Sequence, residues 1–252
     1  MNASPNTAIL AQTPADMALA KSLATQFQLP LLHSQNSSTR FLISVENAEL
    51  TLIDTGLHPQ RTLSISFTTG KNAYRKRTGI GKKQPLGKAL GLHKFQQPFV
   101  VDATAGLGSD AFVIACLGCR VLMIERNPVL SALLDQAVKH ASNIVQNLSL
   151  CHGDALNILP QLSTREPPHI VYLDPMFPQR TKSALVKKDM QMLQTLLGET
   201  TDQAHLLNLA RTVATERVVV KRPAKALPLA KNPPTFSISG KTIRYDVYVQ
   251  KA

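Results

Sequence analysis

Apolar and polar positions alternate differently in the two parts of the chain. From about residue 98 onward, short runs rich in apolar residues are separated by stretches of helical period. Ile170–Leu173 is an apolar run of the kind a parallel sheet buries on both faces, Phe99–Val101 is apolar, and Arg120–Ile124, Leu148–Cys151 and Arg217–Val220 read as further strands. After the first, Ala111, Phe112, Ile114, Ala115 and Leu117 recur with helical spacing until Gly118 stops the pattern. Asn127-Pro128 marks another helix start, and Met190–Leu197 reads as a further helix. The end is different: Thr235–Ser239, Gly240, then Lys241–Gln250 with Ile243, Tyr245, Val247 and Val249 alternating, a terminal hairpin. The pattern predicts an α/β fold whose mostly parallel sheet ends in an antiparallel hairpin.

The first seventy residues follow another rule. Asp16–Phe27 is a predicted helix with Met17, Ala20, Leu23, Ala24 and Phe27 on one face. Phe41–Val45 and Leu50–Ile53, parted by Glu46-Asn47-Ala48-Glu49, read as a β-hairpin, and Leu63–Phe67 as an added strand. The expected organisation is therefore a small α+β domain at 1–70, a basic linker at 71–97 and an α/β domain at 98–252. No repeat or low-complexity tract interrupts it.

The chemistry lies where the predicted strands end. Asp102 closes the first, followed by Ala103-Thr104-Ala105-Gly106-Leu107-Gly108-Ser109-Asp110 and then the helix. Glycines let a backbone approach a ligand closely, and a helix start offers unpaired N–H groups. Glu125 ends the second strand roughly twenty residues on, where an acid can grip a ribose hydroxyl pair. Gly106-x-Gly108-x-x-Ala111 also satisfies the dinucleotide fingerprint, so a nicotinamide enzyme is a competing reading. Asp102 separates the two: ahead of the glycines it would repel a pyrophosphate and attract an ammonium, as S-adenosylmethionine carries. Asp154 follows the third strand, where its side chain could bond an adenine edge. Asp174 follows the fourth, in Asp174-Pro175-Met176-Phe177-Pro178. There a carboxylate, a proline carbonyl and an aromatic ring suit a flat base held by its amino group.

This order of motifs resembles the class I S-adenosylmethionine-dependent methyltransferases, with Asp174-Pro175-Met176-Phe177 in the place of the amino-methyltransferase motif. Asp102–Phe112, Glu125–Pro128, Tyr172–Pro178, Lys182-Ser183-Ala184-Leu185-Val186-Lys187-Lys188 and Val218–Pro223 are similar to the bacterial 16S ribosomal RNA guanine-N2 methyltransferase family RsmJ. The resemblance covers about residues 100 to 250. It implies a Rossmann-like seven-stranded sheet in the 98–252 domain and methyl transfer to the exocyclic N2 amino group of a guanine in small-subunit ribosomal RNA. It also implies cofactor contacts from Ser109 and Asp110, Glu125 and Arg126, Asp154 and Ala155, and Asp174; Asp102, Gly106 and Gly108 join them from the loop chemistry. This chain has Ser109 where the family pattern has Arg, and Asp154 where it has Ser. Asp174, Pro175 and Phe177 are the expected catalytic residues: two acceptors that orient the amino group and a ring that stacks on the base.

Charge fits a polyanionic substrate. The 252 residues carry 28 Lys plus Arg against 16 Asp plus Glu, a formal net charge of +12. Lys71–Lys94 has eight basic residues and no acid, with Arg75, Lys76 and Arg77 beside Tyr74. Lys182, Lys187 and Lys188 follow the Asp174 strand, and Lys221 and Arg222 end the next, so these eight cations are the expected RNA contacts. Both Lys221 and Arg222 would need partners to be buried. A basic tail-less start and the lack of any long apolar run predict no signal peptide and no membrane span, hence a cytoplasmic protein. Cys116, Cys119 and Cys151 cannot make a four-cysteine zinc site, and the seven histidines are scattered, so no metal is expected. The expected partner is 16S rRNA or the small subunit, and the expected state is a monomer. Other amino-methyltransferases, acting on DNA adenine, another RNA base or a protein glutamine, share most of these motifs; a non-catalytic RNA-binding protein is the remaining alternative.

Overall fold

The computed structural model describes residues 6–34, 39–69, 81–175, 188–198, 202–230 and 233–250. In chain order its strands are β1 (Thr7–Ala11), β2 (Leu31–Leu32), β3 (Phe41–Glu46), β4 (Glu49–Asp54), β5 (Arg61–Leu63), β6 (Phe99–Asp102), β7 (Arg120–Glu125), β8 (Leu148–His152), β9 (Ile170–Leu173), β10 (Arg217–Pro223), β11 (Phe236–Ser239) and β12 (Ile243–Val249). Its helices are α1 (Met17–Phe27), α2 (Pro85–Ala89), α3 (Ser109–Cys116), α4 (Pro128–Ala141), α5 (Ala155–Arg165), α6 (Lys188–Leu197) and α7 (Gln203–Val213). They group into two compact units.

One unit holds the five N-terminal strands, ordered β2-β1-β3-β4-β5, with α1. The hairpin expected at 41–53 is β3–β4. Asn47 and Ala48 turn it with positive φ of 52° and 60°, the geometry of a two-residue hairpin turn. The Ala48 N–H donates to Asp16 Oδ1 at 2.9 Å, which ties the turn to the residue before α1. Most of α4, and α6, cluster with this unit: the Leu50 N–H donates to Gln136 Oε1 at 2.9 Å, and Arg61 Nη1 to Gln191 Oε1 at 2.7 Å. The strand expected at 63–67 is displaced to Arg61–Leu63. Phe67 is buried instead by stacking on Phe112, ring centroids 5.0 Å apart, so its apolarity reflects a packing contact rather than a strand.

The second unit carries the seven-stranded sheet in the order β11-β12-β10-β9-β6-β7-β8. β8, β7, β6, β9 and β10 are parallel, and β12 runs antiparallel to both β10 and β11. Every residue of β6 and β9 is buried, which accounts for their unbroken apolar runs. Val101, Val171, Leu173, Val218 and Val220 pack with Leu207, Ala210 and Val213 of α7. Burying such a side chain fully contributes about 1.5–3 kcal/mol. Asp246, buried on β12, accepts from Arg244 Nε at 2.7 Å and from Ser237 Oγ at 2.7 Å, pinning the terminal hairpin. α5 was absent from the sequence reading because Pro160 lies inside it and breaks the helical template.

This strand order reverses direction between β6 and β9, so their carboxyl ends face a crevice. The loops that follow those two strands carry the glycine turn and Asp174. Among the described residues no helix is long and apolar enough to cross a membrane.

α2 packs against β11 and β12, and Gly87 lies buried within it. A Cβ there would overlap the backbone carbonyl of Lys82. Replacing Gly by Ala inside a helix ordinarily stabilises by up to about 1 kcal/mol. Gly87→Ala is expected to reverse that sign, costing about 1–3 kcal/mol of unfolding free energy in a urea titration; a gain in stability would mean the backbone at Lys82 yields freely.

Candidate active site

The glycine turn is built by three residues acting on backbone. Gly106 and Gly108 have φ of 56° and 68°, and Gly108 is the residue preceding α3. A side chain at either would be strained, and a Cβ on Gly106 would meet nothing nearer than the Thr104 carbonyl at 3.9 Å. The loop therefore leaves open space where a ligand can approach it. Glu125, buried at the end of β7, accepts the Gly106 N–H at 2.9 Å through Oε2. The acid expected to hold a ribose thus also fixes the loop from the neighbouring strand.

Asp102 is only 2 % exposed, and the Thr104 N–H donates to its Oδ1 at 3.1 Å. Burial, opposed by that N–H and reinforced by Asp110, Asp174 and Glu125, raises its pKa to about 8. A carboxyl held in this way gains most from a cation beside it. The donor set therefore fits the ammonium end of S-adenosylmethionine. It does not fit a pyrophosphate.

Asp154 has a structural duty as well. Its side chain accepts the Leu156 N–H at 2.9 Å, which makes it the N-cap of α5, with Ala155 buried behind it. Arg126 is exposed, and Ser109 is half-buried in the first turn of α3.

On the acceptor side, Asp174 follows β9 and Pro175 is buried behind it. The Asp174 N–H donates to Thr104 Oγ1 at 2.7 Å, so the residue that donates to Asp102 also holds the backbone of Asp174. Lys221 Nζ donates to Asp174 Oδ2 at 2.7 Å and to Asp110 Oδ2 at 2.7 Å. Tyr172, fully buried on β9, donates its hydroxyl to the same Asp110 oxygen at 2.7 Å. Burial raises the Asp174 pKa and Asp110 adds to the effect, while Lys221 opposes both. Burial disfavours the Lys221 charge, yet the two carboxylates outweigh it and hold its pKa above the ordinary lysine range. The same combination of burial and nearby acids raises Tyr172, which stays a protonated donor.

Lys221 and Arg222 are thus engaged inside the protein. Arg222 is buried and donates through Nε to the Leu227 carbonyl at 3.1 Å. The strand register held the signal for Lys221. β10 pairs in parallel with β9, Val220 opposite Leu173, so the next residues, Lys221 and Asp174, emerge side by side. A cavity of about 540 Å³ between α2, α3 and the terminal hairpin is lined by Asp110, Lys221, Gln84, Thr242 and Tyr245. Phe177, Met176, Arg75, Lys76, Arg77, Lys182 and Lys187 lie outside the described residues, and Lys188 begins α6. Among the described residues no group of three or more His, Cys, Asp or Glu side chains could hold a metal ion. Cys119 is buried, and burial pushes its thiol up to about 12, which suits a small apolar core residue.

Comparison with known proteins agrees with this geometry. Residues 22–250 match the family described as "Putative SAM-dependent methyltransferase". Proteins named ribosomal RNA small subunit methyltransferase J are similar to the chain over nearly all of its length. That of Pseudoalteromonas translucida is 44% identical over 237 residues, covering 91% of this chain and 92% of the relative. That of Coxiella burnetii is 41% identical over 248 residues, covering 97% of each. The crystal structure of a SAM-dependent methyltransferase from Neisseria gonorrhoeae superposes with a TM-score of 0.74 at 32% identity, covering 96% of this chain and 95% of the other. With the glycine turn, the buried acid before it and the Asp174 carboxylate at the switch point of the sheet, these matches place the chain in the family of S-adenosylmethionine-dependent methyltransferases.

Proposed function

We propose that the chain methylates the exocyclic N2 amino group of a guanine in 16S ribosomal RNA, acting in the cytoplasm on the rRNA or on the small subunit. The observation that carries the reading is Asp174, a partly exposed carboxylate set at the switch point beside the glycine turn. The name shared by the relatives supports ribosomal RNA as the substrate, and the net charge of +12 agrees with it. The choice of guanine N2 rests on the resemblance of the Asp174–Lys188 stretch to its family.

S-adenosylmethionine supplies the methyl group as a sulfonium electrophile. The protein's share is to bind, orient and stabilise. The guanine amino nitrogen has its lone pair delocalised into the ring, and attack requires it to become more tetrahedral. Asp174 and the Pro175 carbonyl accept hydrogen bonds from the amino group and turn its lone pair toward the methyl carbon. As the N–C bond forms, the C–S pair returns to sulfur and the nitrogen becomes cationic until it gives up a proton. A carboxylate at that place stabilises the charge as it develops. Phe177 is assigned the stacking face. A base entering such a pocket must leave its helix or be single-stranded. Arg75, Lys76, Arg77, Lys182, Lys187 and Lys188 are the proposed phosphate contacts.

The test of the function is incubation with methyl-labelled cofactor against total RNA, protein-free 16S rRNA and small subunits lacking the modification, followed by mapping of the labelled nucleotide. Label at one guanine N2 of 16S rRNA is expected; incorporation into DNA alone would overturn the substrate assignment. Asp174→Ala should lower turnover by about 10²–10³ while the variant still binds S-adenosylmethionine, and wild-type turnover would remove the carboxylate from the mechanism.

Asp102 gives a pH-dependent prediction whose sign follows from its raised pKa of about 8. Below that pH the cofactor-free protein carries the proton, and an ammonium beside the group favours the ionised form. Cofactor binding near pH 6.5 should therefore release about one proton through Asp102. Calorimetry in buffers of different ionisation enthalpy measures the release. Asp102→Asn should lose that component, and equal release by both proteins would show that Asp102 does not meet the ammonium.

A further inference from the structure

Lys221 was expected among the residues that grip RNA phosphate, and its surroundings argue for another duty. Its ammonium lies 2.7 Å from Asp110 Oδ2 and 2.7 Å from Asp174 Oδ2, with its side chain 23% exposed. A lysine held between two carboxylates has little charge left to offer a third anion. The trio of Asp110, Lys221 and Asp174 carries a net single negative charge when all three are ionised.

We propose that Lys221 is a positioning residue for methyl transfer, which keeps the Asp174 carboxylate ionised and fixes which of its oxygens faces the acceptor amine. The inference rests on the assignment of Asp174 as the acceptor-side carboxylate. Three observations support it. First, burial and Asp110 both push the Asp174 pKa upward, and Lys221 is the cation that opposes them. Without it the group would take up a proton more readily and lose one of its acceptor sites. Second, Lys221 engages Oδ2 and Thr104 holds the backbone N–H, so the residue is held at its main chain and at one carboxylate oxygen. Oδ1 receives no donor among the described residues and is the oxygen left for the amino group. Third, Asp110 is itself fixed by the Tyr172 hydroxyl, so the far anchor of the lysine is tied to a fully buried strand residue. Asp110 thereby shares the lysine, and the trio keeps its negative charge toward an amine that becomes cationic. A single Asp–Lys pair would be neutral and would stabilise that cation less.

The direct readout is carboxyl ¹³C NMR titration of Asp174 in the cofactor-free protein, its signal assigned by its loss in Asp174→Asn. Lys221→Met should raise the Asp174 pKa by about 1–3 units, the size of effect a close opposite charge exerts. Lys221→Arg should keep it near the wild-type value. Asp110→Asn should move it the other way, because it removes a like charge and leaves the lysine wholly to Asp174. That opposite sign keeps the test decisive if Lys221→Met does not fold. In kinetics, Lys221→Met should lower kcat by about tenfold or more and shift its acid limb to higher pH, with the KM for RNA unchanged. A phosphate contact would show the reverse: a raised KM for RNA, a salt dependence reduced by about one ion, and an unmoved Asp174 titration. That outcome, or an Asp174 pKa insensitive to both Lys221 and Asp110, overturns the proposal. Failure of the underlying assignment is distinct, because Asp174→Ala would then turn over as wild type whatever the lysine does.

Discussion

Mutual repulsion among carboxylates is the constraint around which this site is organised. Asp102, Glu125 and Asp174 stand at the ends of β6, β7 and β9, and Asp110 lies in the first turn of the helix that follows the first. Asp110, Asp174 and Glu125 all raise the pKa of Asp102. Like charges gathered in a partly dry crevice cost free energy unless something neutralises them. The protein answers with Lys221 between two of the acids, backbone N–H groups at Asp102 and Glu125, and a raised pKa at Asp102. The glycine turn is part of the answer, since its backbone N–H at Gly106 bonds Glu125. A crevice with this excess of carboxylates suits a positively charged ligand better than an anionic one.

The sheet decides where those charges meet. Parallel strands emerge at the same edge, and the reversal of order between β6 and β9 opens the crevice there. The residues immediately after two buried strands must then lie close together whatever their sequence separation. Asp102 is opposite Tyr172, so the loops that follow face each other. The nearness of the glycine turn and Asp174 is thus a consequence of strand pairing.

Much of this was legible in the chain. The unbroken apolar runs at β6 and β9 match strands buried on both faces, whereas the alternation after Gly240 marks β12 although Tyr245 to Tyr248 are all buried. Asp102 stood out as an acid where a pyrophosphate site would not place one. The carboxylate partners of Lys221 are not legible in the sequence, because its pairing depends on the register of β10 against β9, which no local pattern encodes. Arg222 was obscured in the same way, since its acceptor at Leu227 is a backbone carbonyl. Asp154 illustrates a residue with two compatible readings, because an acid after a strand suits both a ligand contact and a helix cap. The five-stranded sheet was half seen: β3 and β4 form a hairpin with local pairing, whereas β1 pairs in parallel with strands that follow much later.

Thr104 receives less notice from its chemistry than any residue around it. Its N–H points to Asp102 and its hydroxyl accepts from the backbone of Asp174, so one short side chain spans the seam between β6 and β9. The spacing between the loop after β6 and the backbone of Asp174 is accordingly set in part by a single residue. A thermal fluctuation that spreads the seam stretches the bond to Asp174, while the bond to Asp102 lies within one loop and moves with it. A valine would match its shape and leave the gauge without its oxygen. The direct bond from Thr104 across the seam rests on that one hydroxyl.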